Sequence, residues 1–101
     1  MENMENKVVT LVLMNGAEVI GRLISVDDTS YTIERPRLVQ VNEQGVALVD
    51  GVCMTGVKVD SLLEFNKSGV TFVVETMPEI ATGWLTQTTG IQTPQKSIIL
   101  S

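Results

Sequence analysis

The chain has 101 residues, which suits one small domain, and 44% of them are hydrophobic, which is enough to build a core. Twelve acidic residues against seven basic ones give a net charge of −5, which excludes a basic protein that coats nucleic acid but not a selective site with a few cations. The absence of histidine excludes His-based acid–base catalysis, and the single cysteine, Cys53, excludes an intrachain disulfide and a thiolate metal cluster.

The first two predicted elements form a β-hairpin. Residues 8–14 are rich in Val and Leu, which favour a strand. Asn15 and Gly16 follow at once, and both tolerate the positive φ angles of a tight hairpin turn. Residues 17–26 are predicted to form the second strand, in which Gly21 indicates a bulge or a sharp bend.

The middle of the chain is predicted to add two further strands. After a turn at 27–30, a third strand is predicted at 31–41, and Pro36 within it marks an edge, a bulge or a bend because proline cannot donate to a ladder. A fourth strand is predicted at 46–54. Cys53 in this strand is expected to be a small, buried apolar residue.

The last strand of the predicted domain follows a less regular stretch. Residues 55–60 are expected to form an irregular excursion, and residues 61–65 return to strand-like character. A tight turn at 66–69 then leads into a strongly β-prone strand at 70–75. Five strands separated by short turns indicate a small all-β barrel or sandwich.

The composition changes after the last strand. Pro78 suits the first turn of a helix, and residues 79–87 are predicted to form a short helix, with an extended tail as the alternative. Trp84 is expected to anchor this segment to the domain or to a neighbouring subunit, with a stacking site as the alternative. Residues 86–96 are polar and expected to be loosely held or extended, whereas the apolar residues 97–100 are expected to dock as an edge strand.

The sequence is therefore divided into a β domain at 1–77 and a C-terminal extension at 78–101. No run approaches the roughly 18 apolar residues of a membrane span, and the first residues lack the basic-then-apolar order of a signal peptide. We therefore expect a cytoplasmic protein without a membrane partner.

Apolar residues occupy both faces of the first strand, namely Val9, Leu11 and Leu13 on one face and Val8, Val12 and Met14 on the other. An antiparallel sheet with one wet face would alternate apolar and polar residues, so the second face also needs a cover. Contact between subunits would provide one, and we expect a homo-oligomer. The alternative is a tightly curved barrel that buries both faces by its own curl.

The charged residues have two interpretations each. Asp27 and Asp28 are adjacent, so their side chains would diverge in a strand, and capping of a turn is the simpler role. Arg35 and Arg37 carry guanidinium groups that suit phosphates and bases, but they could equally pair with surface acids such as Glu34. No paired acidic cavity and no base partner for a nucleophile is indicated, so we expect neither an enzyme nor a cofactor, metal or small-molecule substrate.

Two stretches carry a resemblance to a known family. The order of glycines and apolar residues resembles the first motif of the Sm/LSm/Hfq superfamily, and the matching positions are Leu11, Leu13, Gly16, Gly21, Leu23, Asp27 or Asp28, Tyr31 and Ile33. Residues 66–74 (NKSGVTFVV) are similar to the second motif, a short turn before an apolar final strand, and Lys67 matches the lysine of the Hfq version. The stretches at 16–21, 33–39 and 70–79 also resemble Sm-like proteins of bacteriophages that infect cyanobacteria.

The resemblance implies a fold, an assembly and a ligand. The fold is a strongly bent, five-stranded antiparallel barrel of the SH3 type, and the assembly is a ring of about five to seven subunits. The last strand would pair with a neighbour's edge, and the implied interface residues are Val70, Phe72 and Val74. The residues implied to contact single-stranded RNA are Asp27, Asp28, Tyr31, Thr32 and Lys67.

Two functions remain open at this point. The first is a non-enzymatic, ring-forming protein that binds single-stranded RNA weakly in or near the ring pore, in the host cytoplasm if a phage encodes it. The second is a phage structural or protein-interaction oligomer that keeps the ring without binding nucleic acid, which the acidic net charge favours. The role of Tyr31 also has two interpretations, because its ring could stack on a base or belong to the core.

Overall fold

The structure, a computed structural model, describes residues 4–90, which form six β-strands and one α-helix. The strands are β1 (Val8–Leu13), β2 (Glu18–Val26), β3 (Ser30–Asn42), β4 (Gly45–Leu48), β5 (Leu62–Asn66) and β6 (Val70–Glu75). A single 3-10 turn (Lys67–Gly69) joins β5 to β6, and the helix α1 spans Pro78–Thr89. No helix within residues 4–90 is long and apolar enough to cross a membrane.

Every strand pair is antiparallel, in keeping with the predicted all-β class. The strand order is β4-β3-β2-β1-β6, and β5 pairs with β3 beside this path. The long β3 serves two partners on one edge, because residues 30–34 pair with β5 and residues 39–42 pair with β4. Although β5 and β6 are consecutive, β5 pairs only with β3 and β6 only with β1 among the described residues, so the sheet is open between them.

The first hairpin forms where the sequence predicts it. Gly16 has a φ of 88°, which is the left-handed conformation that glycine adopts without strain. The Asn15 side chain accepts a hydrogen bond from the Ala17 N–H at 3.0 Å. The turn thus uses both residues of the predicted Asn-Gly pair.

Gly21 lies where β2 and β3 approach each other closely. A Cβ added at this position would collide with the Ile33 side chain and lie 2.8 Å from the Glu34 carbonyl oxygen. The register of the β2–β3 ladder also shifts beside this glycine. The predicted irregularity is therefore confirmed, and its physical reason is the space between two strands.

The predicted fourth strand ends earlier than the sequence suggests. β4 stops at Leu48, and residues 49–61 leave the sheet before β5 begins, so the described chain has six strands rather than the predicted five. Cys53 lies in this irregular segment and is exposed. The prediction that Cys53 is buried is wrong because its segment has left the sheet.

Arg37 holds the end of this irregular segment against β3. Its guanidinium group is only 2% exposed, donates to the Val59 carbonyl oxygen at 3.0 Å and pairs with the Asp60 carboxylate at 2.9 Å. A buried guanidinium group needs such partners, because an unpaired buried charge is strongly destabilising. The end of the irregular segment is therefore held against β3 although it forms no strand.

The two faces of the sheet are buried differently. The inner cluster consists of Val9, Leu11, Leu23 and Ile33. Residues of β5 and β6, including Phe65 and Val73, pack against this same cluster from opposite ends of the strand order, which requires the sheet to curl. The helix-side cluster lies on the other face and consists of Ile20, Leu48 and Trp84.

Helix α1 covers part of the helix-side face, and Trp84 is its anchor. The Trp84 ring is fully buried, its Nε1–H donates to the Arg35 carbonyl oxygen at 2.9 Å, and the Arg22 guanidinium group lies 5.5 Å from its centroid. The predicted anchoring role is confirmed.

The helix is longer than predicted. It begins at Pro78, as proposed, but continues to Thr89 through residues that the sequence suggested were loosely held. In its last turn the Gln87 side chain donates to the Leu48 carbonyl oxygen at 3.1 Å, a tertiary contact that local propensity does not record. The edge strand expected at 97–100 lies outside the described residues.

Candidate nucleic-acid interface

Two turns meet at one end of the sheet and bring most of the proposed RNA contacts together. The Lys67 N–H donates to the Thr29 carbonyl oxygen at 2.8 Å, which links the 3-10 turn to the turn between β2 and β3. Ser30 pairs with Asn66 as the first pair of the β3–β5 ladder. We call this region, residues 27–31 and 66–69, the Lys67 end.

Lys67, which is half-buried, is the cationic side chain of this end. Its Nζ lies 5.5 Å from the centroid of the Tyr31 ring, within the range of a cation–π contact. Within residues 4–90, every other lysine and arginine forms an ion pair, whereas Lys67 forms none. An anion that approaches this end would therefore not have to displace a carboxylate from Lys67.

Tyr31 is half-buried, and of the two roles that the sequence left open, packing in the core is confirmed. It packs against the inner cluster, and its ring also lies beside the Lys67 ammonium group. A nucleotide base could stack only on the part of the ring that remains exposed. The ring position is thus fixed by the core before any ligand arrives.

Asp27 is engaged by its own turn. Its Oδ1 accepts hydrogen bonds from the N–H groups of Thr29 and Ser30, each at 2.8 Å. These backbone hydrogen bonds, with that of Thr29 first, lower the pKa of Asp27 below its ordinary value. The turn-capping interpretation is confirmed. Asp28, in contrast, is exposed and makes no hydrogen bond or ion pair within the described part of the chain.

Thr32 does not join the other residues. It follows Tyr31 in β3, and consecutive side chains of a strand point to opposite faces. Across the ladder it lies opposite Glu64 of β5. The structure therefore brings Lys67, Tyr31, Asp27 and Asp28 together and places Thr32 on the other face.

The two candidate arginines are also elsewhere. Arg35 has a φ of 50° and pairs with Glu34 at 3.2 Å, while Arg37 is buried against Asp60. Pairing with nearby acids, the simpler of the two interpretations, is thus confirmed for Arg35. Lys67 is left as the single cationic side chain of the Lys67 end as described.

Asn66 is a positioning residue that sequence reasoning missed. Its side-chain oxygen accepts hydrogen bonds from the Ser68 N–H and from the Ser68 hydroxyl, both at 2.8 Å, and so caps the 3-10 turn that carries Lys67. The available signal was an asparagine two residues before a serine in a tight turn, a common self-capping arrangement.

The interface residues proposed for the last strand are divided between the two faces of the sheet. Phe72 and Val74 are half exposed on the helix side, whereas Val70 packs against the inner cluster. The expected alternation fails because the β1–β6 register shifts between Val12 and Leu13. Val70 therefore does not share a face with the other two residues.

One edge of β6 is unpaired. The Thr76 N–H donates to the Val8 carbonyl oxygen of β1 at 3.0 Å. Because N–H groups alternate along a regular strand, those of Val73 and Glu75, which follow the register shift, point away from β1. They face the side on which β6 has no strand partner among residues 4–90.

Comparisons with protein families and with curated proteins identify no relative of this chain. A comparison with protein-family models finds no match, and a comparison with curated proteins finds no similar sequence. A functional interpretation therefore depends on the two unpaired edges and on the Lys67 end.

Proposed function

We propose that this protein is a non-enzymatic, ring-forming Sm-like protein that binds single-stranded RNA weakly, with one site per subunit. The proposal rests chiefly on Lys67, a cation without an ion-pair partner within residues 4–90 that lies against a partly exposed tyrosine. A ring repeats this weak site, and simultaneous contacts along one strand of RNA raise the overall affinity.

The two open edges support the ring. β5 and β6 are different surfaces of one subunit, so pairing the β6 of one copy with the β5 of the next is a head-to-tail contact. Such contacts close into a ring when the rotation between copies fits, and closure removes exposed strand edges. In this proposal the curled sheet is a strongly bent barrel, and the gap between β5 and β6 is where neighbours join.

The Lys67 end suggests how RNA would be held. The Lys67 ammonium group would contact a phosphate or a base edge, and the exposed part of the Tyr31 ring would stack on a base. Asp28, which is exposed, would accept a hydrogen bond from a base amino group. Asp27 would act indirectly by shaping the turn. With one cation per site, each subunit should bind weakly, and the fall of affinity with salt should steepen with the number of subunits that contact one RNA strand.

Fluorescence anisotropy with short U-rich and A-rich single strands tests RNA binding at low and moderate salt. Lys67→Ala should weaken binding at least about tenfold, since a hydrogen bond to a charged group contributes roughly 1.5–3 kcal/mol. Lys58→Ala is the matched control, because Lys58 is ion-paired with Asp50 and Asp60. Absence of wild-type binding at low salt would refute the RNA function, and equal binding by Lys67→Ala would refute the site.

Light scattering tests the ring. Glu75→Pro removes an N–H from the free edge of β6 and should convert the oligomer to monomers, whereas Glu75→Gln keeps the N–H and should leave the oligomer intact. An oligomer of unchanged mass in the proline variant would place the contact elsewhere.

The second candidate function is an oligomer that serves only structural or protein-interaction roles. The observation in its favour is the charge of the Lys67 end, because Asp27 and Asp28 outnumber the single lysine. A ring by light scattering without RNA binding by anisotropy would make this function the answer.

A further inference from the structure

An apolar groove lies beside α1 on the helix side of the sheet. Its volume is about 480 Å³, and it extends over the five strands of the main order. The apolar side chains that line it include Val12, Ile20, Val41, Val46, Phe72 and Val74. Val41 is 73% exposed, Phe72 51% and Val74 46%, so this part of the face has no cover among residues 4–90. Contiguous apolar surface that stays exposed indicates a binding partner.

Helix α1 crosses the strands and leaves room for a second helix beside it. It begins next to β6, and its Trp84 and Gln87 side chains bond to β3 and β4. Val8 packs in the strip that α1 covers, and β1 continues from Val8 to Leu13, which lies about 17 Å further along the strand. Because packed helices have their axes about 8–10 Å apart, a second helix beside α1 would still lie over β1.

The groove also has the length of a short helix. Five strands at spacings of about 4.8 Å extend over about 19 Å, and a helix of about 13 residues has that length. Helix α1 itself, with 12 residues, crosses the same strands. An amphipathic helix with an apolar stripe toward the sheet would therefore complete the layer that α1 begins.

The charged residues of the groove are acidic. Glu18 and Glu75 line it, and no lysine or arginine within residues 4–90 does so. Glu75 is paired with Lys7 at 3.6 Å, whereas Glu18 is exposed and forms no ion pair in the described part of the chain. A cationic side chain of a partner would meet an unpaired carboxylate at Glu18, and a phosphate group would be repelled there.

The same charges argue against a second copy of this chain as the occupant. A copy that docked through its own groove would bring its own Glu18 and Glu75 to the contact, and like charges across an interface are unfavourable. The one α-helix within residues 4–90 is also already docked on its own sheet through the buried Trp84 ring. The groove therefore favours a helix from a different protein.

We propose that this groove binds an amphipathic helix of a partner protein. The apolar stripe of the partner helix packs against Val41, Phe72 and Val74, and its lysine or arginine side chains pair with Glu18. This is recognition of a helix in a groove, in which apolar anchors at helical spacing supply the contact. Lys67 takes no part in it, so the proposal can be tested separately from RNA binding.

Anisotropy of a labelled synthetic helix, titrated with the full chain, tests the proposal. The probe is a peptide of about 14 leucine and lysine residues in which the leucines form one helical face. It should bind saturably and gain helical circular dichroism, because an isolated helix of this length is marginal in water. A scrambled peptide of the same composition, and a peptide with glutamate in place of lysine, should bind at least about tenfold more weakly.

Two matched pairs of variants locate the contact. Val41→Ser should weaken binding at least about threefold because it removes apolar area from the groove, whereas Val57→Ser should not, since Val57 is 88% exposed outside the groove. Glu18→Gln should weaken binding about twofold to fivefold at low salt. Glu64→Gln removes the same charge from β5, outside the groove, and should leave binding unchanged, as should Lys67→Ala.

Results of three kinds would overturn the proposal. Absence of saturable binding by the full chain would mean that no amphipathic helix enters the groove. Equal binding of the cationic and scrambled peptides, or equal losses in Val41→Ser and Val57→Ser, would mean that charge alone attracts the probe. A mass by light scattering that falls in Val41→Ser but not in Val57→Ser, without peptide binding, would make a second copy the occupant.

Discussion

The apolar residues on the two faces of the sheet are covered in different ways. The inner cluster is closed by the sheet itself, since strands from both ends of the strand order pack against Leu11 and its neighbours. The helix-side face depends on an added helix, which buries the region around Trp84 but leaves Phe72 and Val74 half exposed. Apolar residues on both faces of a strand therefore do not by themselves indicate how each face is covered.

The largest expected effect comes from removing the anchor of the helix-side face. Trp84→Ala should lower the free energy of unfolding by about 3–5 kcal/mol, the usual range for a buried tryptophan, and α1 should detach. Urea unfolding measures the loss, and amide hydrogen exchange should show deprotection in α1 before the strands around the inner cluster.

A milder variant separates packing from hydrogen bonding in this prediction. Trp84→Phe keeps an aromatic ring at this position but loses the hydrogen bond to the Arg35 carbonyl oxygen, so it should cost about 1–3 kcal/mol. A cost below about 1 kcal/mol for Trp84→Ala would contradict the view that one side chain holds this face together.

A second substitution tests the close strand contact. Gly21→Ala should destabilise the protein by about 1–3 kcal/mol, because its Cβ would collide with Ile33 and lie 2.8 Å from the Glu34 carbonyl oxygen. Gly69→Ala is the control, since no heavy atom lies within 4 Å of an added Cβ there. Thermal unfolding should separate the two variants, and equal midpoints would show that β2 and β3 can move apart freely.

The smallest expected effect concerns the turn that carries the candidate site. The pKa of Asp27 is lowered from 3.8 by backbone hydrogen bonds, so its ionised form stabilises the folded state. This contribution is fully present above the unfolded pKa and is lost as the pH falls through the lower folded pKa. The stability difference between wild type and Asp27→Asn should therefore be constant at neutral pH and shrink in acid.

Urea midpoints between about pH 2 and pH 7 measure this difference. Asp28→Asn is the matched control, because Asp28 makes no hydrogen bond or ion pair within residues 4–90. Its replacement should leave the contribution of ionised Asp27 to stability in place. Identical pH profiles of wild type and Asp27→Asn would show that the turn does not depend on the charge.

Sequence alone determined the features that depend on a few adjacent residues. The hairpin at Gly16, the irregularity at Gly21, the capping role of Asp27 and the start of the helix at Pro78 were all predictable. Each follows from the φ range, the size or the hydrogen-bonding groups of the residue itself and its nearest neighbours in the chain.

Tertiary structure alone decided the features that depend on distant partners. β4 ends at Leu48 although strand-like residues continue, and Arg37 is buried because Val59 and Asp60 return to meet it. The ammonium group of Lys67 meets the Tyr31 ring only because β3 and β5 pair in one particular register. Periodicity records which residues share a face of a strand, but it contains no information on which strand or helix lies opposite, and that is settled by contacts between residues far apart in the chain.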